Sequence, residues 1–230
     1  MTADTSWSHS ETIAKMPTGI EGVDAITGGG LPRERTVLVV GQAGAGKTIF
    51  SLETLVAGAR DMNEPGIFVA FEEPVSRIMA HAGSFDWDLA SYKPEQLFYL
   101  DAQLSPDVVS GGPFELTALL AALRAKADEI GAKRIVFDSI DRMLNILDDP
   151  AAERREIHRL HTWLLESGMT AILTAKSARG ASYDLGRYRE LEFMTDCVLL
   201  LDHRLEGRVS ERSFRVVKCR GTAFAENEFP

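Results

Sequence analysis

Eight consecutive residues, Gly41-Gln42-Ala43-Gly44-Ala45-Gly46-Lys47-Thr48, match G-x-x-x-x-G-K-[ST] at every fixed position. Each type has a task in holding a nucleoside triphosphate. The glycines let backbone N–H groups approach phosphate oxygens, Lys47 can neutralise charge at the β- and γ-phosphates, and the Thr48 hydroxyl can ligate magnesium. Gly41, Gly44, Ala45, Gly46, Lys47, Thr48 and Ile49 are therefore the expected nucleotide-binding residues. The chain has no N-K-x-D sequence of the kind that marks many GTPases, which points to ATP.

Transfer of a phosphoryl group to water needs a metal-side carboxylate, a group that orients the water and positive charge for the transition state. Arg134-Ile135-Val136-Phe137-Asp138 is an apolar run ending in an acid, the pattern of a Walker B strand. Asp138 would join Thr48 in holding magnesium, or would only cap the next segment. Glu72 and Glu73 end a second apolar run, Ile67–Phe71. They could polarise an attacking water, with Glu72 the first choice of base, or form a solvated acidic turn before Pro74. Residue type alone does not separate the two. Lys218 and Arg220 lie two apart in an expected strand, so they share a face and Cys219 takes the other. That pair is either a charge clamp for a γ-phosphate, including a neighbouring subunit's, or a solvated edge that blocks aggregation.

These groups need a scaffold that brings them to one place. The β-branched run Thr36–Val40 before the glycine loop reads as a buried strand and Ile49–Ala59 after it as a helix. A strand, a glycine loop and a helix aim backbone N–H groups and the positive end of a helix dipole at one point. Further strands are expected at Ile67–Phe71, Leu97–Leu100, Ile135–Phe137 and Thr170–Leu173. Helical stripes run through Leu116, Leu119, Leu120, Leu123, Ala127 and Ile130, and through Ile157, Leu160 and Leu164. Cys197–Leu201 and Ser213–Val217 read as a hairpin turning at Glu206-Gly207-Arg208. The expected fold is α/β, with a mostly parallel central sheet, helices on both faces and an antiparallel extension at its end.

With 230 residues, 45% of them hydrophobic and 26% charged, the chain suits one sizeable α/β core. Its net charge of −9 opposes a surface devoted to nucleic acid. No apolar run approaches the roughly 18–20 residues of a membrane span. Residues 1–15 read as a loose polar arm without the apolar core of a signal peptide, and 16–230 as a single domain; cytoplasmic is the expected location. Cys197 and Cys219 stand apart as small core residues. His158 and His161 share a helix face without an acidic or cysteine partner, and read as surface residues rather than a metal site.

Read together, these segments resemble the KaiC branch of the RecA-like P-loop ATPases. The resemblance is densest in Lys15-Met16-Pro17-Thr18-Gly19-Ile20-Glu21-Gly22-Val23-Asp24 and Gly29-Gly30-Leu31-Pro32. It continues through Glu64–Glu73, Ser84–Leu89, Val136-Phe137-Asp138-Ser139, Glu192–Asp196 and Lys218-Cys219-Arg220-Gly221-Thr222. It implies a RecA-like fold and slow, magnesium-dependent ATP hydrolysis in a homohexameric ring with ATP between subunits. Glu72 and Glu73 then correspond to the catalytic pair, and Lys218 and Arg220 to cations reaching a neighbour's phosphate. A KaiB-like regulatory partner and a role in circadian timing rest on the resemblance alone. The chain resembles the first of the two domains such proteins usually carry, as an amino-terminal half or as a short single-domain relative. Autokinase activity on Ser or Thr is an alternative reading, which the resemblance ties to the second domain, where the phosphorylated Ser/Thr pair lies. A different reading on the same fold is a motor or recombinase directed to single-stranded DNA, through Lys176, Arg179, Tyr183, Arg187 and Tyr188 in the loop 177–190.

Overall fold

The structure is a computed structural model that describes residues 13–85, 87–103, 116–147, 149–177, 189–206 and 208–230. A short antiparallel pairing of β1 (Lys15–Met16) with β2 (Leu31–Pro32) brackets α1 (Glu21–Ile26). β3 (Thr36–Gly41) leads into α2 (Lys47–Asp61), and β4 (Gly66–Ala70) into α3 (Val75–Ala82). β5 (Leu97–Asp101) precedes α4 (Thr117–Ile130), and β6 (Arg134–Asp138) precedes α5 (Ile140–Leu144) and α6 (Pro150–Ser167). β7 (Thr170–Lys176) precedes α7 (Arg189–Met194), and a hairpin follows, β8 (Cys197–Glu206) and β9 (Val209–Cys219).

β3, β4 and β6 are buried at every position, which is why they read as unbroken apolar runs rather than alternating ones. The sheet order is β5-β4-β6-β7-β3-β8-β9. Every neighbouring pair is parallel except β8 with β9. Side chains of α2 and α3 pack on one face of the sheet and those of α4, α5, α6 and α7 on the other. This is the α/β arrangement expected, with its antiparallel extension. The extension is longer than its apolar residues suggest. Past Leu201, the last β8 residue paired with β3, the two strands pair only with each other. Polar residues such as His203 and Arg212 occupy that stretch and give no apolar signal.

Local chemistry explains the element ends. Asp149 caps α6 by accepting from Ala151 N and Ala152 N, Pro150 fills its first position, and Gly168 leaves it at φ 67°. The segment before β3 is held by Asp24, whose carboxylate accepts from Thr18 N (2.8 Å), Thr18 Oγ1 (2.7 Å) and Gly19 N (3.2 Å). Gly19 has φ 80°, and a side chain there would collide with Ala57 of α2. The lead-in is thereby seated on the helix that follows the glycine loop.

Candidate active site

The parallel register brings the carboxyl ends of β3, β4, β6 and β7 to one edge of the sheet. Gly41 lies opposite Lys176, and Ala70 opposite Asp138. Ligands in open α/β sheets bind at this edge. The loop from Gly41 to Gly46 turns there, with Gly44 at φ 80° and Gly46 at φ 101°, values that only glycine adopts cheaply. A Cβ on either would meet nothing within 4 Å, so the space above the loop is open. No side chain caps α2 at Gly46, which leaves its first N–H groups for a ligand. Lys47 is buried and donates to Gly41 O (2.9 Å) and Gln42 O (3.0 Å). Burial pulls its pKa below the usual lysine range, against the opposing effect of Asp138, Asp141 and Glu72.

Beneath the loop, Thr48 Oγ1 donates to Asp138 Oδ2 (2.8 Å) and Thr174 Oγ1 donates to Asp138 Oδ1 (2.5 Å). Burial pushes the Asp138 carboxyl up, and the two hydroxyl donors act against that. The hydroxyl and carboxylate expected to share a magnesium ion are thus side by side. Among the described residues no group of three or more His, Cys, Asp or Glu could hold a metal by protein ligands alone. One carboxylate and one hydroxyl at a phosphate loop fit magnesium, which takes few protein ligands and completes its shell with phosphate oxygens and water.

Glu72 and Glu73 diverge. Glu72 Oε1 accepts from Lys176 Nζ (2.5 Å) and Oε2 from Ser139 Oγ (3.2 Å). Burial raises its pKa, but Lys176, Ser139 and Lys47 outweigh that and hold it below the usual carboxylate range. Glu73 faces His81 (3.8 Å) and lines a cavity of about 340 Å³ with Gly44, Gly46, Lys47 and Thr48. Ile49, Leu52, Ile78 and Phe85 supply the apolar wall of that cavity, and Arg212 reaches it from the hairpin. Its volume is within the usual range for a small-molecule site. Lys176, read from sequence with the DNA-directed loop, is instead the ion-pair partner of Glu72. Arg179, Tyr183, Arg187 and Tyr188 lie outside the described residues. Sequence reasoning missed Thr174, Ser139 and Arg212 as site residues; a hydroxyl or a hairpin arginine carries no signal until the sheet is assembled.

Lys218 and Arg220 are not at this site. β9 ends at Cys219, and Arg220 is the first residue beyond the strand. Lys218 lies opposite Val198, which pairs with Leu38, three residues before Gly41 and two strands away. The pair therefore sits roughly 10 Å back along the strands, toward the opposite edge from the glycine loop. Lys218 Nζ donates to Glu192 O (2.5 Å) and Arg220 Nη2 to Phe193 O (2.8 Å), near the carboxyl end of α7. Cations there suit the helix dipole. Burial pulls the Lys218 pKa down. Phe193, beside them, is 67% exposed. The alternation expected for Lys218, Cys219 and Arg220 holds, since Cys219 faces the α2 side of the core.

A glycine loop of this geometry between β3 and α2, with Asp138 at the end of β6, defines a RecA-like P-loop ATPase. The family model described as "ATPase: KaiC" matches residues 16–230, and the chain belongs to that family. It is 38% identical over 225 residues to circadian clock protein KaiC2 of Synechocystis sp., covering 97% of this chain and 39% of the relative. To circadian clock oscillator protein KaiC of Synechococcus elongatus it is 39% identical over 234 residues, covering 100% and 44%. To KaiC of Prochlorococcus marinus it is 41% identical over 221 residues, covering 95% and 44%. The chain spans less than half the length of these curated relatives. Among the described residues no helix is long and apolar enough to cross a membrane.

Proposed function

We propose that this chain is a slow, magnesium-dependent ATP hydrolase that assembles into a homohexameric ring, with ATP between subunits. Nucleotide state then governs assembly and the docking of a regulatory partner, which by analogy with the clock relatives is KaiB-like. The observation that carries the reading is the Thr48–Asp138 bond beneath a glycine loop covered by Lys47.

Gly44, Ala45, Gly46 and the first N–H groups of α2 hold the phosphates, and Lys47 exchanges its bonds to loop carbonyls for phosphate oxygens. Thr48 and Asp138 would hold magnesium, which neutralises charge on the phosphate oxygens when bound. Glu72 and Glu73 orient the attacking water, and one of them takes its proton. Glu73 borders the loop cavity, whereas Glu72 is tethered by Lys176 and Ser139. Lys218 and Arg220 are too far from their own loop to serve it, which favours action on a neighbour's γ-phosphate. The exposed Phe193 beside them suits a subunit contact.

Light scattering on the purified protein, with and without Mg-ATP, tests assembly. The expected result is a shift to about six subunits with nucleotide, lost in Lys47→Ala along with ATP binding. Hexamers of Lys47→Ala formed without nucleotide would sink the assembly reading.

A further inference from the structure

The chain has two cysteines, Cys197 and Cys219, and they are partners across the β8–β9 ladder. Arg220 N donates to Asp196 O (2.9 Å), so the ladder's hydrogen bonds flank the cysteine pair rather than join it. Side chains approach closest at such positions, with Cα atoms about 4.5 Å apart. A disulfide accepts Cα separations of about 4.4–6.8 Å, so the backbone already stands within bonding range. Both thiols are free and buried. The neighbouring Cys197 thiol draws the Cys219 pKa down to about 6 and so favours its thiolate, while burial acts the other way. Neither residue has a task in ATP hydrolysis as derived above.

Their position gives the pair a consequence. Cys197 begins β8 two residues after Thr195, whose N–H donates to Leu191 O of α7. Cys219 lies between Lys218 and Arg220, the two side chains docked on the Glu192 and Phe193 carbonyls. To act on a neighbour's phosphate, both cations must leave those carbonyls.

We propose that Cys197 and Cys219 form a modifiable thiol pair that hydrogen peroxide closes into a cross-strand disulfide, and that this bond holds Lys218 and Arg220 docked on α7. The second part rests on the proposed clamp; the first does not. The Cys219 thiolate attacks one peroxide oxygen and the O–O bond breaks, giving a sulfenic acid and hydroxide. The Cys197 sulfur then attacks the Cys219 sulfur and expels hydroxide, and the thiol protons convert both hydroxides to water. Two thiols and one peroxide thus yield one disulfide and two waters. Peroxide is small enough for a thiol at 7% exposure, where a glutathione-sized oxidant is not.

The test treats the whole chain with hydrogen peroxide, blocks free thiols under denaturing conditions, and maps the peptides. The expected result is loss of both thiols, a Cys197 peptide linked to the Cys219 peptide within one chain, and full reversal by dithiothreitol. Cys219→Ser and Cys197→Ala should each show no linked peptide, and Cys197 should stay unmodified in the first. Two thiols that remain titratable would overturn the proposal, as would sulfinic acid at Cys219 without a link, or a link only between chains. ATP turnover of the same samples reads the consequence: it should fall on oxidation and recover on reduction. A disulfide that leaves turnover unchanged overturns the hold on the clamp. No turnover even in the reduced protein would instead count against the ATPase reading.

Discussion

Lys176 and Glu72 meet only because β7 and β4 end at the same edge of the sheet, and their contact has a consequence for pH. Lys176, Ser139 and Lys47 hold the Glu72 carboxyl below its usual range. A group that works as a base loses activity as pH falls through its pKa, so a depressed pKa keeps turnover alive in more acid solution. Lys176→Met removes the first of these partners and should move the acid limb of the turnover–pH profile upward. An unmoved limb would show that Glu72 is not the titrating base, and Glu73→Gln becomes the variant that should abolish turnover. The pair Glu72-Glu73 was visible as two acids at a strand end. That they part, one toward Lys176 and one toward the loop cavity, was not, because adjacent residues leave a strand end in different directions.

Among the elements, β6 is tied to the lead-in and to α2 through one buried side chain. Arg134 is 1% exposed; it donates to Glu64 Oε2 (2.5 and 2.8 Å), Thr54 O (2.6 Å) and Pro17 O (2.9 Å). A side chain at Gly58 would strike its guanidinium, so α2 carries glycine where Arg134 passes. Glu64→Gln leaves this charge short of its main partner and should cost about 3 kcal/mol in urea unfolding at neutral pH. Burial raises the Glu64 pKa, but Arg33 and Arg134 outweigh it and the net shift is downward. Glu64 therefore adds stability above the unfolded glutamate value of about 4.3, and that stability is lost as pH falls through the lower folded value. Thermal melts from pH 7 downward should show a steeper acid loss for the natural chain than for Glu64→Gln. Parallel curves would show that Glu64 does not set this dependence. Sequence showed Arg134 only as the polar start of an apolar run. Its burial follows from a tertiary cage of carbonyls and one carboxylate.

At the level of the assembled molecule, the separation of clamp from loop makes a mixing experiment decisive. Arg220→Ala should keep ATP binding and lose turnover on the order of 10³-fold. Lys47→Ala should lose binding. If the cations act across subunits, a mixture of the two variants contains interfaces that join an intact loop to an intact clamp, and its turnover should exceed that of either alone. In rings that contain both variants, turnover equal to the average of the two alone would overturn action in trans. Light scattering of the same mixture shows whether the two variants share rings.

The glycine loop, the apolar runs of β3, β4 and β6, the helical stripes and the hairpin could all be read from residue order, because local periodicity and conformational preference act over a few residues. So could the acids at the strand ends, since any parallel strand delivers its last residue to the binding edge. What residue order could not settle is which distant groups meet there. Thr174 on Asp138, Lys176 on Glu72 and Arg212 beside the loop come from β7 and the hairpin, which strand order and register place next to β3, β4 and β6. The same register sends Lys218 and Arg220 away from the loop and sets Cys197 opposite Cys219. Sheet order is fixed by burial summed over the whole core, and no short stretch of the chain carries that information.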